Sequence, residues 1–217
     1  MKGKRLFEFG GYAAAIVLVA FGIATLVMGV NGRNEVRKDV KREFVVGTPD
    51  MTKTAILAEA KQAKLPPSVM AQLPTCNVAG KEINSGPRAK CFASYMRIHT
   101  FEATAGKTYA QMGRYVTKSG KDTNDAAAAA KDPKTGQPVE NTARNLWVTE
   151  LAISTALNTS FFAEQVSMFS IVVGIALLLV GIGLGILAFF ALRWLPAREE
   201  RRQETQSAAV KPTPQAT

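Results

Sequence analysis

A chain of 217 residues with 27 Lys and Arg against 17 Asp and Glu carries a formal net charge of +10, and it holds two cysteines and one histidine. The positive charge is dispersed rather than gathered with aromatic residues on one helical face, which argues against a nucleic-acid partner; between Arg33 and Glu164, 19 basic residues stand against 13 acidic ones, a net +6. One histidine and two cysteines are too few for an ordinary zinc site or a two-histidine iron site within one chain.

In chain order, residues 1–8 form a basic N-terminal segment with Lys2, Lys4 and Arg5, expected in the cytoplasm. Residues 9–30 are an uncharged run of 22. That is longer than the roughly 7–15 residues of a signal-peptide core, and it ends LVMGVNGR without an Ala-x-Ala cleavage site, so the run predicts an uncleaved transmembrane helix. Residues 166–192 form a second uncharged run of 27 and predict a second crossing. Residues 31–165 then form one mostly α-helical extracytoplasmic domain, and residues 193–217 a basic, then disordered, cytoplasmic tail. Two crossings put both termini on one side. Lys2, Lys4, Arg5, Arg193, Arg198, Arg201 and Arg202 outnumber Arg33, Arg37, Lys38, Lys41 and Arg42, which favours cytoplasmic termini in a plasma (inner) membrane. The isolated pair Cys76 and Cys91 adds to this orientation, because such a pair outside the cytosol predicts a disulfide.

Within the central domain, NGRNEVRKDVKREF is a helical extension or a solvated juxtamembrane strand. FVVGTPD reads as an extended piece closed by a turn, with Asp50 or Thr52 capping a helix over MTKTAILAEAKQAK that LPPS ends. LPTCNVAGKEINSGPRAKC is loop-like; a Cys76–Cys91 bond would close a segment of about 15 residues, worth about 3 kcal/mol in the chain-entropy view. From Lys90 to Tyr115, Phe92, Tyr95, Met96, His99, Ala103, Gly106, Ala110 and Gly113 recur every three or four residues and predict one packed helical face. Its partner is the approach helix from Asn141, with a stripe of Leu146, Trp147, Leu151, Leu157 and Phe161. No Pro or Gly interrupts this helix before the second apolar run, which predicts one rod of very roughly 75 Å from Asn141 to Leu192. The polar stretch from Lys118 to Asn141 is expected to be a mobile surface excursion. In the apolar runs, Gly174, Gly181 and Gly185, with Gly22 and Gly29, mark helix-packing positions, either between the two helices of one chain or toward another chain.

Recognisable chemistry is sparse. His99 with Glu102 and Glu150 offers a metal or polar-anchor arrangement between helices, but the order His-x-x-Glu in one copy departs from the Glu-x-x-His pairs of helix-bundle di-iron proteins. Nucleophile elbows and phosphate loops are absent, and Gly181-Ile-Gly-Leu-Gly lies inside an apolar run. No cofactor and no catalytic residue is expected.

The segments CFASYMRIHTFEATAGKTYAQMGRY, NLWVTELAISTALNTSFFAEQVSMFSIVVGIALLLVGIG and VVGTPDMT resemble a family of small actinobacterial two-span membrane proteins of unknown function, over most of the central domain and the second apolar run. Members often carry a label naming an aromatic ring-opening dioxygenase. One histidine does not furnish the two-histidine iron triad of extradiol chemistry, so the resemblance implies no such activity here. It does imply that Cys76 and Cys91 belong to a shared structural disulfide. The expectation is a non-enzymatic accessory or assembly subunit of the cell envelope, in contact with membrane lipid and other envelope proteins or further copies of itself. The alternatives are a lipid- or small-ligand-binding module, a metal-dependent enzyme with its site between ectodomain helices, and a transmembrane sensor.

Overall fold

A computed structural model describes the backbone of residues 2–209 and the side chains of residues 9–190. The protein is mostly helical: α1 (Lys2–Lys41), α2 (Lys53–Gln62), α3 (Pro67–Met70), α4 (Gly86–Ala103) and α5 (Thr142–Ala209), with a small antiparallel pair β1 (Tyr115–Val116) and β2 (Asp122–Thr123). α5 is a single helix of 68 residues. It continues past residue 192 as far as Ala209, into the segment expected to be disordered, where Glu, Arg, Gln and Ala are good helix formers. The basic side chains of residues 1–8 and 193–217 lie outside the described side chains. Contacts divide the chain into two units, one of residues 1–31 and 167–217 and one of residues 32–166.

In the first unit, α1 and α5 each hold a stretch long and apolar enough to cross a membrane, and only 17% and 11% of those stretches are buried. The core helix of a water-soluble protein would hide such residues; here Phe21, Phe169 and Leu179 lie open. The two helices run antiparallel. A Cβ built on Gly22 would come within 2.9 Å of the Leu178 nitrogen, one on Gly174 within 2.8 Å of the Leu26 nitrogen, and one on Gly181 within 3.0 Å of the Val19 nitrogen. Gly29 meets the carbonyl oxygen of Ser167 in the same way. Gly22 and Gly29 are one heptad apart, as are Gly174 and Gly181, so small residues recur along the seam where backbones touch. Gly185 is looser, 3.7 Å from the Ala15 Cβ.

The second unit packs α2, α3 and α4 with the N-terminal turns of α5 around Ile56, Tyr95, Ile98, Phe101 and Trp147. Thr52 caps α2 by accepting the Ala55 amide at 3.2 Å. The Trp147 indole stands edge-on to Phe101 at 4.8 Å and donates to the Lys107 carbonyl. Cys76 and Cys91 form a disulfide that ties the preceding loop to α4, and the Tyr95 hydroxyl donates to the Cys76 carbonyl at 2.6 Å.

Two expectations need correction. The helix predicted to reach Tyr115 stops at Ala103, because Ala105 and Gly106 take positive φ and the Gly106 amide turns back to the Phe101 carbonyl at 2.7 Å. Gly113, counted on that helical face, lies instead against the backbone of Thr123 across the small hairpin. On α5 the inward stripe is Trp147, Glu150, Leu157, Phe161 and Glu164, while Leu146 and Leu151 face outward. Residues 117–141 hold defined turns: Asp132 accepts the amides of Lys134 and Thr135, and Val139 bonds Ala130.

Candidate functional site

His99 lies on the last turns of α4, where four polar side chains converge. Its Nδ1 is 3.1 Å from Oε2 of Glu102, one turn later, and its Nε2 is 2.9 Å from Oδ2 of Asp50 in the turn before α2. Glu59, on α2, brings a third carboxylate, and the donor atoms of Asp50, Glu59 and His99 all lie within 4.8 Å of one another. The side chains of His99, Asp50 and Glu102 are 27%, 30% and 19% exposed. Burial, and then the negative charges of Asp50 and Glu102, hold the Glu59 carboxyl above its ordinary value, against an opposing pull from His99. One imidazole and two carboxylates on three elements are a donor set for a divalent ion.

Glu150 is not in this cluster. His99 and Arg97 are two residues apart on α4 and so face different directions; Glu150 meets the side of Arg97, with Oε2 3.9 Å from its Nη1. Its other oxygen accepts from the Ser154 hydroxyl at 2.7 Å, and the Arg97 guanidinium lies over the Phe101 and Trp147 rings. The expected trio of His99, Glu102 and Glu150 is therefore split, and Asp50 and Glu59 take the place of Glu150 beside the histidine.

A second polar centre surrounds Glu164. Its side chain, 3% exposed, accepts from Nε of Arg37 at 2.8 Å and Nε of Arg33 at 3.2 Å. The Gly86 amide donates to its other oxygen at 2.6 Å. The carboxylate thus caps α4 from another helix, a task the side chain of Ser85 leaves undone. Burial works to raise the Glu164 pKa, but the Gly86 amide and the two arginines outweigh it and the carboxyl is held below its ordinary value. Gly86 is required there, since a Cβ would sit 2.7 Å from the Phe161 Cα.

Between α4, α5 and the end of α1 runs an apolar groove of about 530 Å³, floored by Ile83, Phe92, Met96, Ile153 and Leu157. Arg42 also belongs to a neighbouring basic pocket of about 690 Å³ with Arg37, Lys38, Lys41 and Arg88. Phe44 stands 84% exposed beside it at φ 51°.

With this geometry in view, no family model, curated protein or solved structure matches the chain. Sequence reasoning named His99 and Glu102 but missed Asp50 and Glu59 as their neighbours; nothing in the spacing of an acidic turn residue and a mid-helix glutamate announces that they meet. The Glu164 cap did leave a trace, because a carboxylate two residues before a long apolar run is costly there unless it is paired.

Proposed function

We propose that this chain is a two-pass protein of the plasma membrane with cytoplasmic termini, whose central unit lies outside the cytoplasm and serves the cell envelope as a non-enzymatic accessory or assembly subunit, working by binding a protein partner. The observation that carries this reading is an exposed apolar pair on α5 within the central unit. Val148 and Leu151, three residues apart on one side of α5, are 53% and 47% exposed, apolar surface that costs free energy in water unless another molecule covers it. Photo-crosslinking from position 151 in native membranes, followed by native-mass analysis after mild extraction, tests it. A discrete crosslinked partner or a second copy is expected; a lone monomer without adducts in every mild detergent would refute it.

A second reading, a module for an anionic amphiphile, is favoured by the apolar groove and the basic pocket that share Arg42. It predicts that acidic lipid co-purifies with the protein and is lost on Met96→Glu. Retention of the same lipid in that variant would remove this reading.

A further inference from the structure

We propose that Asp50, Glu59 and His99 form a binding site for one divalent transition-metal cation of the zinc or manganese type, with Glu102 holding the imidazole from its far side. The site is independent of the membrane role assigned above.

The orientation of the ring comes first. Glu102 Oε2 lies 3.1 Å from His99 Nδ1, and an ionised carboxylate only accepts, so a hydrogen bond between them takes its proton from Nδ1. In the neutral ring the lone pair is then on Nε2, the arrangement by which carboxylate-bound histidines present nitrogen to a metal. Nε2 lies 2.9 Å from Asp50 Oδ2. Yet Nε2 is shut off from solvent and without a hydrogen-bond partner, because the contact is not aligned as an N–H···O bond. A neutral ring sets its Nε2 lone pair against a carboxylate oxygen there, a repulsion that a proton on Nε2 or a bound cation relieves, and the misaligned N–H direction favours the cation. Donors bonded at roughly 2.1 Å stand about 3.0 Å apart at octahedral angles and about 3.4 Å apart at tetrahedral ones, so the 2.9 Å pair matches the first and opens slightly for the second.

Charge points the same way. Asp50, Glu59 and Glu102 bring three carboxylates to one histidine, and among the described residues no Lys or Arg forms an ion pair with any of them. Glu102 Oε1 is likewise buried and unpartnered. A dication relieves the repulsion and uses the free lone pairs together. Nitrogen with carboxylate oxygen selects zinc, manganese or ferrous iron over the soft cuprous ion, and the imidazole disfavours magnesium and calcium. Both cysteines are held in the disulfide and supply no competing thiolate. The partial exposure of Asp50 and His99 leaves room for water to complete the coordination.

The test is calorimetric titration of the full-length, detergent-solubilised, chelator-stripped protein with Zn²⁺ and separately with Mn²⁺, with Mg²⁺ as competitor. Saturation at one ion per chain is expected, undisturbed by equimolar Mg²⁺. Affinity should fall at least about tenfold in Glu59→Gln and in His99→Gln, and roughly tenfold in Glu102→Gln, which acts through the ring. If His99→Gln fails to fold, Asp50→Asn and Glu59→Gln, on partly exposed positions, carry the comparison, with thermal unfolding of the stripped variants as the folding control. Absence of saturable binding by the wild-type protein overturns the proposal, and so does unchanged affinity in both Asp50→Asn and Glu59→Gln.

Discussion

Replacing Glu164 by Gln keeps the shape of the side chain and removes its charge, which isolates the electrostatic share of a centre that joins α1, α4 and α5. The carboxylate accepts three donors, the Gly86 amide at 2.6 Å and the Arg37 and Arg33 guanidinium groups at 2.8 and 3.2 Å. An amide has one acceptor oxygen, so its NH₂ must point at either a guanidinium or the Gly86 N–H. Hydrogen bonds to charged groups contribute about 1.5–3 kcal/mol each, and a buried donor left without a partner costs about 1–3 kcal/mol. The arginine side chains are 35% and 43% exposed and regain water when released, so their loss is discounted; the Gly86 amide has no such escape. The expected destabilisation is about 2–4 kcal/mol, or roughly 6–12 °C in Tm at about 3 °C per kcal/mol. Thermal unfolding in detergent, followed by tryptophan fluorescence, measures it. The sign of the pH dependence is also fixed. The folded carboxyl titrates below its ordinary value of 4.5, so its stabilisation is present above that pH and is lost as pH falls toward the folded value. The Glu164→Gln variant should therefore lose less stability than the wild type on acidification below about pH 4.5. A Tm within 1 °C of wild type (about 0.3 kcal/mol), with an unchanged acid limb, would show that the Glu164 charge does not hold this centre together.

Cys76→Ser with Cys91→Ser should cost about 3 kcal/mol in thermal or denaturant unfolding; ready alkylation of both thiols in unreduced wild-type protein would contradict the bond. Gly174→Val puts a side chain where a Cβ already comes within 2.8 Å of the Leu26 backbone, so the α1–α5 pair should lose about 1–3 kcal/mol. Gly183→Val, with nothing within 4 Å, is the control, and equal Tm values for the two variants would exclude tight packing at position 174. Trp147→Ala should cost about 3–5 kcal/mol, since it empties the core beside Phe101 and strands the Lys107 carbonyl; a loss under 1 kcal/mol would show that the indole is not central.

The long elements were legible because their signals are redundant. Uncharged runs of 22 and 27 residues leave little choice but helix, and α5 follows from the lack of any breaker between Asn141 and the second run. The cap at Thr52 and the Pro-Pro stop after α2 are local rules that the backbone obeys. What failed was periodicity read past a terminator: residues 104–113 continued the apolar spacing of α4, but the left-handed turn at Ala105 and Gly106 is a backbone event that a hydrophobic pattern does not encode. The inward face of α5 was misassigned for a related reason. A stripe chosen for apolar residues took in Leu146 and Leu151 and passed over Glu150 and Glu164, which are buried because Arg97, Arg33 and Arg37 meet them there. The Asp50–Glu59–His99 cluster depends on how α2 docks against α4, information held in no single segment.

The glycine seam between α1 and α5 restricts how that pair can move. Backbone meets backbone at Gly22 and again at Gly174 and Gly181, so a small axial slide would drive a neighbouring bulky residue such as Leu26 or Leu178 into the opposing helix. The next equivalent register lies one heptad away, a stroke of about 10.5 Å at 1.5 Å per residue. The pair behaves like a notched rack, resisting short piston travel and leaving rotation or tilt of the two helices together as the motion open to it.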